Sequence, residues 1–179
     1  MRKKLKNFDW HVYGLSEGDL DETIRIVKSF MKAGKKELEQ ESDRVRKEDP
    51  ECADDILDDI FYYAGVDMQF LWQFCLWRLQ SIFEGIITTR FLSEDEAKGL
   101  VGLKNKMDKL RNRGYKIDQE KYEEILEWGR LRNALSHCPP EHYKPVWLEE
   151  SDIDEYLELI KFVIKNLKIQ KKSIIKSGS

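Results

Sequence analysis

Apolar residues recur at three- and four-residue steps along nearly the whole chain, and no stretch of useful length alternates apolar with polar. That pattern predicts helices and no sheet. Ser16 is placed to cap a first helix running to about residue 49, where Pro50 ends it. A second helix restarts there and carries Ile56, Ile60, Ala64, Met68, Leu71, Leu79, Phe83 and Ile86 on helical spacing, the longest apolar spine in the chain. Ser93, with Glu96 three residues later, is a capping-box pattern and predicts a third helix that ends near Arg113 and Gly114. A fourth is expected from Asp118 to about His137. The last, opened by Ser151 and Asp154, presents Ile153, Leu157, Ile160, Ile164 and Leu167 as one stripe. The expected fold is all-α, an up-and-down bundle of about five helices in a single domain over residues 1–179, with a frayed polar tail at about 173–179. No internal repeat interrupts it.

Composition narrows the class. A chain of 179 residues, 41% of them hydrophobic, is long enough to bury a core of its own. No apolar run approaches the roughly 20 residues that cross a bilayer, and the start, MRKKLKNFDWH, lacks the apolar block of a secretory signal. A cytoplasmic protein without membrane contact is expected. The three cysteines, Cys52, Cys75 and Cys138, are scattered and form no CxxC pair, which favours plain thiols over a disulfide framework or a zinc knuckle.

The net charge of −3 hides segregation. Residues 37–59 are dominated by carboxylates, residues 104–116 carry six basic side chains against one acidic, and residues 165–176 are basic again. Phosphate binding needs clustered Lys and Arg rather than net charge, so Lys104, Lys106, Lys109, Arg111 and Arg113 are candidate RNA contacts; the alternative is a solvated helix face.

The densest chemistry lies in GRLRNALSHCPPEHY, residues 129–143. At about 100° per residue, Tyr122, Ile125, Leu126, Trp128, Leu131 and Leu135 define a broad apolar arc, and Arg132 falls inside it, with Gly129 and Ser136 giving it room. A buried guanidinium without a partner costs several kcal/mol, so Arg132 needs a carboxylate from another helix, a cleft, or a subunit interface. Arg130, Asn133 and His137 form a polar seam beside the arc. A purely structural version has Arg132 paired to a carboxylate and His137 capping the helix C-terminus. The following connection, residues 138–150, is longer than most links between bundle helices and contains His142, Tyr143 and Lys144. Metal and nucleophile signatures are missing: none of the three histidines follows a Glu at three-residue spacing, and HExxH, GxSxG and the phosphate-loop pattern are absent. No metal and no cofactor is expected.

Arg132-Asn133-Ala134-Leu135-Ser136-His137 reads R-N-x-x-x-H and resembles the R-x4-6-H motif of the HEPN superfamily, in which the residue after the arginine is typically Asn, Asp or His. HEPN domains are small all-α bundles with the motif late in the chain, ahead of a loop and a final helix, which is the layout expected here. The resemblance implies a metal-independent endoribonuclease of the toxin or host-defence kind, working as a homodimer with the two motifs facing across the two-fold axis. On that reading His137 takes the proton from a ribose 2′-hydroxyl, as an ordinary histidine titrating near about 6.5 is suited to do. Arg132 holds the phosphate and stabilises the charge that builds on it. Asn133 orients His137 or the phosphate, and Arg130, Ser136, His142, Tyr143 and Lys144 contact RNA around them. The products expected are a 2′,3′-cyclic phosphate and a 5′-hydroxyl. In HEPN toxins paired with nucleotidyltransferase antitoxins, a tyrosine two residues after the histidine is modified; here Cys138 and Pro139 follow His137, and Tyr143 is the nearest tyrosine beyond it. An antitoxin partner of that type is an expectation of the resemblance alone. The alternative is a non-catalytic HEPN-like helical module that binds RNA or a partner protein through the same seam.

Overall fold

The computed structural model describes residues 14–137 and 146–177, with side chains as far as residue 172. Helix α1 spans Gly18–Glu48. Its start is organised by Ser16, whose backbone amide donates to Asp19 Oδ2 at 2.7 Å while its hydroxyl donates to the same oxygen. The Ser16 hydroxyl, with the Ser16 amide behind it, holds the Asp19 carboxyl below the usual range. The amide of Asp49 donates back to the Val45 carbonyl and Pro50 follows, so the chain turns into α2, Ala53–Ile86. The α2 spiral continues without a break into a π-helical turn, Ile87–Phe91, closed by the Leu92 amide on the Ile87 carbonyl at 3.3 Å.

The capping box at Ser93 is present. The Ser93 amide donates to Glu96 Oε2 at 2.9 Å and the Glu96 amide to the Ser93 hydroxyl at 3.4 Å. The helix it opens, α3, is only Glu94–Ala97, and a separate α4 runs Leu103–Asn112. One expected helix is therefore two. Gly99 (φ +76°) and Gly102 (φ +85°) both take the positive φ that favours glycine, Gly102 as the N-cap of α4, and together they turn the chain between α3 and α4. Gly114, at φ +89°, follows α4 as expected. Helix α5 spans Gln119–His137, with Asp118 Oδ1 accepting the amides of Glu120 and Lys121, and α6 spans Glu150–Ser177. Among the described residues the elements are six α-helices and the π turn, with no strand.

Helices α1 and α2 form an antiparallel hairpin. Lys28 pairs with Asp154 at 3.1 Å, Lys161 with Asp21 at 2.6 Å and Lys168 with Glu17 at 2.5 Å, which runs α6 antiparallel to α1. At the start of α6 the Gln69 side chain donates to the Leu148 carbonyl and accepts from its amide, both at 2.8 Å, so α6 lies parallel to α2. Helix α5 packs on α2, α4 and α6. The core centres on Leu76, Leu79, Phe83 and Ile86 of α2 against Leu20 of α1, Met107 and Leu110 of α4, Ile125 of α5 and Ile153 and Ile160 of α6. A smaller cluster, Val45, Ala53 and Leu57, closes the far end of the hairpin. Burial pushes the Cys75 thiol up to about 12, while Cys52 is exposed; Cys138 lies outside the described residues. Among the described residues no helix is long and apolar enough to cross a membrane.

Candidate functional site

The apolar arc of α5 meets two different environments along its length. In its first turns Tyr122 and Ile125 are buried, and Gly129 is buried where a Cβ would stand 2.9 Å from Leu103 Cδ2, so the glycine lets α5 approach α4 closely. From Arg130 onward no residue of α5 is buried; Leu131, Arg132, Ala134 and Leu135 are half-buried, and Arg130, Asn133, Ser136 and His137 are exposed. The arc that holds Arg132 is thus covered at one end and partly open at the other.

Arg132 has no salt-bridge partner among the described residues. Its Nη1 donates to the side-chain oxygen of its neighbour Asn133 at 3.0 Å, and its Nε is buried without an acceptor among the described residues. Ser136 donates to the Arg132 carbonyl at 2.8 Å, which ties its hydroxyl to the helix rather than to a ligand. Among the described residues three more buried polar atoms lack a partner: Trp77 Nε1 and Gln80 Oε1 on α2, and the Tyr156 hydroxyl on α6. Tyr156 stacks against Trp128 of α5, with ring centroids 5.0 Å apart. Its phenol is pushed far above the usual range, first by burial and then by the Glu84 carboxylate, with Arg132 pulling the other way. Arg132, Tyr156 and Glu84 therefore share one electrostatic neighbourhood.

Glu84 is the carboxylate nearest in kind to what Arg132 would need, and it is committed elsewhere. It receives Lys106 Nζ at 2.5 Å and Gln80 Nε2 at 2.9 Å. The Lys106–Glu84 pair is the least exposed ion pair among the described residues, at 15% and 17% side-chain exposure. With its charge neutralised there, Arg132 has no counter-ion among the described residues, a setting that suits an anion such as a phosphate.

His137 closes α5, five residues after Arg132. That spacing displaces it by about 7.5 Å along the axis and rotates it by roughly 140°. It makes no hydrogen bond among the described residues. Arg132 and Asn133 are joined within one chain; Arg132 and His137 are not. His142, Tyr143 and Lys144 lie outside the described residues. Metal-holding groups of three or more His, Cys, Asp or Glu are absent among the described residues.

The basic segment reads differently in three dimensions. Lys104 pairs with Asp108 at 2.9 Å, Lys106 with Glu84, Lys109 with Glu96 at 3.6 Å and Arg113 with Glu96 at 2.8 Å. The Arg111 guanidinium lies 3.8 Å over the Tyr122 ring and donates to Gln119 Oε1 at 2.6 Å. Each of the five has an intramolecular partner, and through Glu84 only Lys106 is tied to the neighbourhood of Arg132 and Tyr156. Lys106→Met leaves Glu84 half-buried without its cation and is expected to destabilise the fold by about 2 kcal/mol. The check is a lower urea midpoint at unchanged slope; a shift worth under about 0.5 kcal/mol would show the pair to be a solvated surface contact.

The residues that sequence reading passed over are Gln80, Glu84 and Tyr156. Their signal is present in hindsight: Gln80 and Glu84 sit one turn apart between the apolar positions Leu79, Phe83 and Ile86, and Tyr156 sits within the Ile153, Leu157 and Ile160 stripe. Comparison of the chain with family models, curated proteins and solved structures returns no match, so the site rests on its own residues.

Proposed function

We propose that the chain is a HEPN-type, metal-independent endoribonuclease whose site is built from Arg132, Asn133 and His137 and completed by a second copy. The observation that carries this reading is the guanidinium of Arg132. It is half-buried, it has a buried Nε without an acceptor, and it meets no carboxylate among the described residues. An uncompensated cation at such a place is costly unless a ligand supplies the anion. A phosphodiester does so with two oxygens, matching the fork of donors that Arg presents.

In the proposed reaction His137 accepts the proton of the ribose 2′-hydroxyl, the freed oxygen attacks the adjacent phosphorus, and the bond to the 5′-oxygen breaks as that oxygen takes up a proton from water. The products are a 2′,3′-cyclic phosphate and a 5′-hydroxyl. Arg132 stabilises the negative charge on the non-bridging oxygens, and its hydrogen bond to Asn133 Oδ1 fixes the orientation of the guanidinium.

Two features support a homodimer. Arg132 and His137 of one chain diverge around α5, so a second α5 across a two-fold axis is needed to set one residue of each kind against the same phosphate. The apolar arc at Leu131 and Leu135 is incompletely covered, and Phe70 and Phe74 of α2 are 53% and 59% exposed on the helix face that also carries Trp77. Mixed dimers test the composite site. Arg132→Ala and His137→Ala homodimers should both be inactive, and dimers pairing one variant with the other should regain part of the cleavage. Mixed dimers as inactive as their parents, or an active monomer by light scattering, would contradict it.

A further inference from the structure

We infer that the outer groove between α1 and α2 is a docking site for a cationic amphipathic helix of about three turns, supplied by a partner protein. This reading is independent of RNA cleavage. The groove has a volume of about 490 Å³ and lies between Phe30–Glu41 of α1 and Asp59–Leu71 of α2. Its floor is apolar, formed by Met31, Leu38, Ile60, Ala64, Met68 and Leu71. Phe30 and Tyr63 stand on its edges, 63% and 65% exposed.

The groove lies along the hairpin beyond the start of α6. On α1, Lys28, two residues before Phe30, pairs with Glu150 and Asp154 in the first turns of α6, and Lys161 further along α6 pairs with Asp21, so these α6 contacts end where the groove begins. The described residues thus leave an apolar seam between two long helices without a third helix over it. Its length, twelve residues of α1, is about 17 Å, the span of three helical turns.

Charge decides the occupant. Glu37, Glu41, Asp59 and Asp67 line the groove against one cation, Lys35. Only Glu41 of the four is engaged in an ion pair, with Arg44, among the described residues. A second copy docked by two-fold symmetry through this face would bring both sets of carboxylates into one patch, whereas a helix with Lys or Arg flanking its apolar stripe meets them with opposite charge. Gly34 adds an independent mark. It sits in the interior of α1, where glycine weakens a helix, and a Cβ there would meet nothing within 4 Å, so the chain's own packing does not call for it. A bare backbone at that position lets a docked helix approach α1 closely.

The test uses the full chain and a fluorescent 14-residue Leu/Lys amphipathic peptide, with a Leu/Glu peptide and a scrambled Leu/Lys peptide as controls, read by anisotropy. The Leu/Lys peptide is expected to bind, and both Asp59→Lys with Asp67→Lys, and separately Gly34→Leu, should weaken it by about tenfold or more. Reversing Glu120 and Glu127 on α5 should leave it unchanged. The charge variants alter exposed residues, so they keep the test open if Gly34→Leu misfolds. Absent binding, equal binding of either control peptide, or equal loss on reversing the α5 carboxylates would overturn the proposal. So would a change of molecular mass in Gly34→Leu without peptide, which assigns the groove to a second copy. A carbodiimide cross-link, in the protein alone, from Asp59 or Asp67 to Lys3, Lys4 or Lys6 of the same chain would overturn it too, by assigning the groove to the chain's own start.

Discussion

Arg132→Met should cleave RNA at least about 100-fold more slowly than the parent and yet fold at least as stably. The two halves of that result have one cause. Methionine keeps most of the aliphatic stem but removes the donors. Because among the described residues the buried Nε has no acceptor and the guanidinium no carboxylate, the change loses no ion pair there and sheds a desolvated donor, and is expected to lie between neutral and about 1 kcal/mol stabilising. A structural arginine behaves in the opposite way: truncating a buried ion pair costs about 3–5 kcal/mol. Paired urea melts and cleavage rates separate the two. A variant that loses several kcal/mol, or one that cleaves as fast as the parent, would remove Arg132 from the chemistry.

The largest effect on stability is expected at Phe83. It is fully buried in the last turn of α2, in the core cluster to which α1, α4, α5 and α6 also contribute. Phe83→Ala deletes a ring from a place where four helices meet and none can collapse alone, and should cost about 4 kcal/mol. The urea midpoint should then fall by more than about 1 M at unchanged slope. A shift below half of that would mean that the helices re-pack around the vacancy, and that the core is less tightly coupled than its burial indicates.

Most of the fold was legible because long helices carry their signal many times over. The α1, α2, α5 and α6 stripes repeat across five or more turns, and Ser16, Pro50 and Gly114 mark ends with residues whose backbone preferences leave little choice. The helix expected after Ser93 shows the limit. Its capping box was correct, but Gly99 and Gly102 divide it, and a helical pattern that spans two glycines carries no information on whether they bend the chain. The π turn at Ile87–Phe91 was hidden for a related reason, since one extra residue per turn leaves the apolar sequence pattern almost unchanged.

The candidate site was legible in part. Arg132 stands out on a helical wheel because a charge within an apolar arc demands an explanation, and sequence alone left three open. The structure supplies no carboxylate among the described residues, and the reason is three-dimensional: Glu84, 48 residues earlier, is held by Lys106 and Gln80. The basic run 104–116 illustrates the same gap from the other side. Its charges are a cluster in sequence, yet their partners Glu84, Glu96 and Gln119 come from neighbouring elements that no local pattern announces.

The central claim is that Arg132 and His137 cut RNA without a metal. Purified protein incubated with single-stranded RNA in EDTA, with product ends identified by mass spectrometry, tests it most directly. The expected result is cleavage that persists in chelator, leaves 2′,3′-cyclic phosphate and 5′-hydroxyl ends, and disappears in both Arg132→Met and His137→Ala. Cleavage that requires added Mg²⁺ or Mn²⁺, or that survives in either variant, would contradict it.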